Sequence, residues 1–134
     1  MIVEKLLPEA TVELTVSPEM RALFEGEVVH EVYGTAPMVG HMELAARRVI
    51  LAAREEGEEG IGYKIDVTHM APAPVGARVT VTARLRSVEG NRVLCDVEAR
   101  TARGVIGRGT VTQVLLSIAV LQRRFREFGG NDNG

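Results

Sequence analysis

The sequence predicts an α+β domain in which one long helix packs against an antiparallel sheet. Three observations carry that expectation. A single stretch, "PMVGHMELAARRVILAAREEG", holds apolar residues at helical spacing. The segments before and after it alternate polar and apolar residues with period two. Turn-forming residues sit between those segments at hairpin spacing, as in "SVEGNRV". With 134 residues the chain supports one domain, 1–134, around one core, with residues 129–134 expected to fray.

The elements follow in order. "EATVELTVSPEM" sets Thr11, Glu13 and Thr15 against Val12, Leu14 and Val16, a half-buried strand. "SPEM" offers a serine cap with proline in the first turn, a short helical start. After "EGEVVHEVYGTA", Pro37 stands at a first helical position, and Gly57 and Gly60 close the helix. At about 100° per residue, Met38, Met42, Ala45, Val49 and Ala52 form its central apolar stripe. "IGYKIDVTHMA" then alternates until "APAPVG" breaks it. "ARVTVTARLRSVEG" and "NRVLCDVEARTA" flank a tight turn, and "RGVIG" leads into "GRGTVTQVLLSIAVL", a last strand followed by the charged tail "QRRFREFGGNDNG". The expected order is strand, helix, then four strands in a meander. Its open edge is most simply covered by a second copy of the chain.

Composition excludes several classes of function. The apolar fraction is 46% with no Trp and only 4% aromatics, so an aliphatic core is expected. No apolar run approaches a bilayer span and "MIVEKLLPEA" lacks a signal-peptide core, so a cytoplasmic protein without a membrane partner is expected. A formal net charge of −2 argues against nucleic acid as a partner. Cys95 is the lone cysteine and lies on an alternating strand face, which reads as a buried, inert thiol. His30, His41 and His69 are scattered without metal-ligand spacing, so no metal is expected. Arg78, Arg84, Arg86, Arg92, Arg100 and Arg103 cluster in the second half. They read either as a solvated sheet face or as forks for a phosphate-bearing ligand.

Three polar residues fall where the pattern makes them ambiguous. Glu43 lies at the border of the helix's apolar face, four positions before Arg47. An ion pair in that order is worth roughly 0.2–0.5 kcal/mol and would be reason enough for the carboxylate. Period two places His69 with Ile61, Tyr63, Ile65 and Val67 on the face expected to meet the helix, where a histidine can be a satisfied core residue or a catalyst. Thr35 just before the helix suits a capping hydroxyl. Together the three also bring a hydroxyl, a carboxylate and an imidazole toward the positive end of a helix, a place suited to an oxyanion.

At these residues the chain resembles a known family. "TAPMVGHME", then "GIGYKIDVTHMAPAPVGARVTVTARLRSVEG", is similar to the hotdog-fold thioesterases of the fluoroacetyl-CoA thioesterase-like branch, from about Tyr33 to about Leu116. The resemblance implies a five-stranded antiparallel sheet wrapped around the central helix, in a homodimer or higher oligomer with sites at the subunit interface. It implies an active-site threonine, glutamate and histidine at Thr35, Glu43 and His69, and a glycine beside the acyl group at Gly62. Where the family carries an arginine near the end of the sheet, this chain has Gln113, and Ala36 and Pro37 replace a glycine and an aromatic of the fluoroacetate enzyme. A fluoroacyl preference is therefore not expected.

The reading these lines support is hydrolysis of a small acyl-CoA, with Glu43 as nucleophile or as general base and no cofactor beyond the coenzyme A of the substrate. Arg78, Arg84 and Arg86 are the arginines proposed for its phosphates, beside Gln113 and Gly62 as substrate-binding positions. The alternative is a dimer of the same fold that binds acyl-CoA without turnover.

Overall fold

A computed structural model describes residues 1–129. The proposed frayed end therefore lies, beyond Gly129, outside the described residues. The strands are β1 (Glu9–Thr15), β2 (Arg21–Phe24), β3 (Glu27–Tyr33), β4 (Glu58–His69), β5 (Arg78–Glu89), β6 (Arg92–Thr101) and β7 (Gly104–Ser117). The helices are α1 (Thr35–Ile50) and α2 (Ile118–Gly129), with 3-10 turns at Val3–Lys5, Pro18–Met20 and Leu51–Ala53. Five strands form one antiparallel sheet in the order β1-β5-β6-β7-β4, and β2 and β3 form a separate hairpin. The sheet wraps α1, which is the expected hotdog arrangement.

The core is aliphatic, as the composition requires. Helix α1 buries Met38, Met42, Ala45, Ala46, Val49 and Ile50. Val79, Val81 and Ala83 of β5 and Val93, Cys95 and Val97 of β6 meet them from alternate positions along the strands. Each such Val, Ile or Met contributes about 1.5–3 kcal/mol on full burial. The helix begins at Thr35 rather than Pro37, with Gly34 as its N-cap. Pro37 is tolerated at the third helical position because N–H groups in the first turn have no intrahelical acceptor to lose. At the other end α1 tightens into the turn Leu51–Ala53, and that change of pitch buries Ala53 in place of the expected Ala52. Gly57 serves the following turn at φ +79°, and Gly60 belongs to β4.

The expected four-strand meander is corrected. β5, β6 and β7 do meander, but β4 pairs with β7 at the far edge. Residues 70–77 carry the chain from β4 to β5 across two intervening strands, about 14 Å at the usual strand spacing. That crossing is tied down by main-chain bonds. Met70 N–H donates to Ile106 C=O at 2.7 Å, Tyr33 N–H to Ala73 C=O at 2.8 Å, and Gly76 N–H to Val16 C=O at 2.8 Å. With α1 filling the concave face, the connection passes the helix's N-terminal end.

The β2–β3 hairpin was not anticipated, although its turn has the φ > 0 pair a two-residue hairpin loop needs, Glu25 at 51° and Gly26 at 80°. The serine at 17 makes no side-chain capping bond to the turn that follows it. The last strand ends at Ser117 rather than at Leu121, because the Ser117 hydroxyl accepts the Val120 N–H at 3.1 Å and starts α2. Most of the charged tail is thus helical, with Leu121 buried beneath it. Among the described residues, no helix is long and apolar enough to cross a membrane.

A bulge at Tyr63 overturns the simple alternation of β4. Gly62 pairs with Gln113 and Lys64 with Thr112, leaving Tyr63 unpaired between them. Gly60 and Gly62 therefore face α1, and Ile61 and Tyr63 face away from it, lining a groove under α2 where the Arg92 guanidinium lies 4.4 Å from the Tyr63 ring. Beyond the bulge Val67 packs on the core and His69 returns to the helix side, as expected.

β4 and β7 are held together at Gly109, where an added Cβ would meet the Asp66 carbonyl oxygen and lie 2.6 Å from Val67 Cα. Both obstacles are backbone, so Gly109→Ala is expected to cost about 1–3 kcal/mol of stability. Urea unfolding checks this; an unchanged midpoint would show that the two strands can part without loss.

Candidate active site

Thr35 is the first residue of α1, and its side chain does not cap the helix as expected. Its hydroxyl is instead 2.8 Å from His69 Nδ1, at the last position of β4. The pair forms because the bulge at Tyr63 aims His69 at the helix start. The second ring nitrogen, His69 Nε2, is enclosed and has no hydrogen-bond partner. A buried polar group left unpaired costs about 1–3 kcal/mol. Thr35 and His69 open on a cavity of about 250 Å³ shared with Ala22 and His30 of the hairpin.

Glu43 lies elsewhere. Eight residues along α1 advance about 12 Å along its axis, so Glu43 sits more than two turns beyond Thr35. It lines a separate cavity of about 400 Å³ with Gly40, Leu44, Arg47, Gly62 and Gln113. Its carboxylate is 2.5 Å from the place a Cβ on Gly62 would occupy, so only glycine there lets the carboxylate lie against β4. Nor is Arg47 its partner. Arg47 bonds Glu59 at 2.9 Å and Arg54 bonds the same carboxylate at 2.7 Å. The Arg47 hydrogen bond, more than any other contact, pulls the Glu59 carboxyl down to about 2. Among the described residues Glu43 has no ion pair, and the i,i+4 explanation for it fails.

Gln113 is 3% exposed, the single polar side chain among the buried described residues. It is the register partner of Gly62, and its side-chain nitrogen has no hydrogen-bond partner. One chain thus unites Thr35 with His69, and Glu43 with Gly62 and Gln113, but does not bring all of them to one point.

The three arginines proposed for phosphates are not brought to either cavity. Arg78 pairs with Glu13 at 3.4 Å, Arg84 with Glu9 at 3.1 Å and Arg86 with Asp96 at 3.6 Å, all at exposed positions. In one chain they form the solvated sheet face of the two readings. Cys95 is buried, and desolvation, aided by the Asp96 charge, pushes its thiol up to about 11, which leaves it inert.

Tyr33 and His41, which the sequence does not mark as site residues, also lie here. Tyr33 ends β3, is 1% exposed and places its hydroxyl 2.5 Å from His41 Nδ1. Its ring also meets His69 edge-on, with centroids 6.5 Å apart. No spacing rule links a strand-end tyrosine to a histidine in the second helical turn, so the contact could be read only once the helix start was known.

The chain is similar in sequence and in fold to known proteins. Residues 16–119 match the sequence model of a family described as fluoroacetyl-CoA-specific thioesterase. A fluoroacetyl-CoA thioesterase from Streptantibioticus cattleyicolor is 41% identical over 97 residues, which are 72% of this chain and 70% of that protein. A Thermus thermophilus hypothetical protein, a thioesterase superfamily member, superposes with a TM-score of 0.84 at 48% identity over 89% of this chain and 88% of its own. A threonine-to-serine mutant of the fluoroacetyl-CoA enzyme in complex with acetyl-CoA superposes at 0.83, with 34% identity over 91% of this chain and 96% of its own. By sequence match and by fold, the chain belongs to the fluoroacetyl-CoA-specific thioesterase family.

Proposed function

We propose that this protein hydrolyses the thioester of a small acyl-CoA, using Thr35, His69 and Glu43. The observation that carries the reading is the isolation of Glu43, whose nearby arginine is committed to Glu59 while its carboxylate rests against the bare backbone of Gly62. A carboxylate kept free of cations beside a cavity is available to react. Family membership supplies the substrate class, since relatives act on fluoroacetyl-CoA or hold acetyl-CoA.

In this reading the thioester carbonyl lies at the positive end of α1, where first-turn N–H groups stabilise the oxyanion by a few kcal/mol per well-placed donor, roughly 3 in measured cases. Glu43 either attacks the carbonyl carbon, giving an anhydride that water opens, or takes a proton from the attacking water. The C–S bond breaks, and the departing thiolate takes a proton. His69 exchanges protons at Nδ1 only, because Nε2 is enclosed. The Thr35 hydroxyl therefore stands between the imidazole and the substrate, as a relay or as the group that orients the leaving sulfur.

The separation of about 12 Å along α1 bears on assembly. In one chain Thr35 and Glu43 line separate cavities. A homodimer resolves this if Glu43 of one copy meets Thr35 and His69 of the other. The unpaired outer edge of β4, with Tyr63 57% and Ile65 40% exposed, supports the same assembly.

Glu43→Gln should keep the fold and acyl-CoA binding while kcat falls roughly a hundredfold or more. A thiol-release assay beside a circular dichroism melt measures both, and a folded variant with wild-type turnover would sink the assignment. Mixing Glu43→Gln with His69→Ala chains, each inactive alone, should restore about a quarter of wild-type activity through dimers holding one intact site. A site built within one chain restores none. With Gln113 in the acyl cavity, acetyl-CoA and fluoroacetyl-CoA should be turned over at kcat/KM values within about tenfold, since one small substituent in a pocket supplies only modest discrimination. A preference of several orders of magnitude for the fluorinated substrate would refute this.

A further inference from the structure

We propose that Tyr33, tethered by His41, is a positioning residue that holds the His69 ring on Thr35. The inference rests on the reading in which Thr35 and His69 take part in the chemistry. His69 has one hydrogen bond, between Nδ1 and the Thr35 hydroxyl, and an enclosed Nε2 with none. A single bond does not fix an imidazole. Rotation about its last side-chain torsion is broad unless neighbours restrict it, and a half-turn would exchange Nδ1 for a carbon. Something must wall the ring in.

Tyr33 is that wall. Its ring stands edge-on to His69 at 75°, with centroids 6.5 Å apart. On its other side it stacks on His41 at 5.8 Å and 24°. Its backbone N–H is fixed to Ala73 in the connection that leaves β4 beyond His69. The phenol hydroxyl, 2.5 Å from His41 Nδ1, sets where the ring lies along that slot. Burial pushes the Tyr33 phenol up and the His41 imidazole down, so both are neutral at pH 7. With the His41 proton on Nε2, the phenol donates and Nδ1 accepts. Tyr33 lines the Thr35–His69 cavity, and its ring contact there is with His69, the side chain through which it acts on the chemistry.

The test uses the full chain and three substitutions. Tyr33→Phe removes only the hydroxyl; His41→Ala removes the acceptor; His41→Asn returns an acceptor oxygen near the place of Nδ1. Tyr33→Phe and His41→Ala should each lower kcat roughly ten- to a hundredfold, the cost of a misplaced catalytic group. KM should stay within about twofold, because the ground-state contacts are kept. His41→Asn should recover most of the loss, and the double variant Tyr33→Phe, His41→Ala should be no worse than either single one. Nitrogen-15 spectra of the ring give a readout independent of turnover. His69 should show a fixed tautomer in the parent protein and averaged Nδ1 and Nε2 signals in Tyr33→Phe. If Thr35 and His69 play no part in hydrolysis, those spectra still decide the positioning question. Wild-type kcat together with unaltered His69 signals in a folded Tyr33→Phe variant overturns the proposal. So does a loss of melting temperature in all three variants with both readouts unchanged.

Discussion

Strands β4 and β7 approach the central helix closely at three glycines. A Cβ on Gly60 would strike the Ile50 side chain, one on Gly62 the Glu43 carboxylate, and one on Gly107 the Met38 sulfur at 2.7 Å. These close approaches determine what else the fold can do. They allow an aliphatic helix of modest bulk to be enclosed by five strands, and they bring the end of β4 within hydrogen-bonding distance of the start of α1. They also let a carboxylate midway along that helix lie against main chain instead of against another side chain. Thr35, His69 and Glu43 are placed in part by the side chains these glycines lack.

Much of this was legible in the residues, and the failures have physical causes. Alternation in "ARVTVTAR" and "RVLCDVEA" correctly puts Val79, Val81, Val93 and Cys95 in the core, because both strands lie centrally under α1. Alternation fails in β4, where the bulge at Tyr63 adds a residue that no periodicity shows. The pairing of β4 with β7 instead of β5 is a matter of which edge the helix leaves open, which local patterning cannot express. The hairpin turn Glu25–Gly26 lacks the Asn-Gly or Asp-Gly pair that marks a two-residue loop, and Glu25 takes a positive φ uncommon for its type. α2 was masked because its apolar residues continue those of β7 without a break, and only the Ser117 cap divides them.

The site shows the same division. Thr35, Glu43 and His69 stand out as polar groups on or beside apolar faces. What sequence could not decide was which ordinary explanation each would satisfy. Thr35 was free to cap the helix, yet its hydroxyl goes to His69. Glu43 was free to pair with Arg47, yet that guanidinium is drawn off by a residue twelve positions further on. These outcomes depend on distances between elements remote in sequence, which only the folded chain defines.

The Glu59 cluster has a further consequence, in the response to acid. Its carboxyl titrates near 2, held there first by Arg47. A depressed folded value means that the stabilisation is complete above the ordinary carboxylate range and is lost only as the pH falls toward 2. Ordinary carboxylates have taken up their protons well before that point. Arg47 therefore stays on Glu59 throughout mild acidification and is not handed back to Glu43. The pairing that leaves Glu43 without a cation thus persists through the pH range in which ordinary carboxylates titrate.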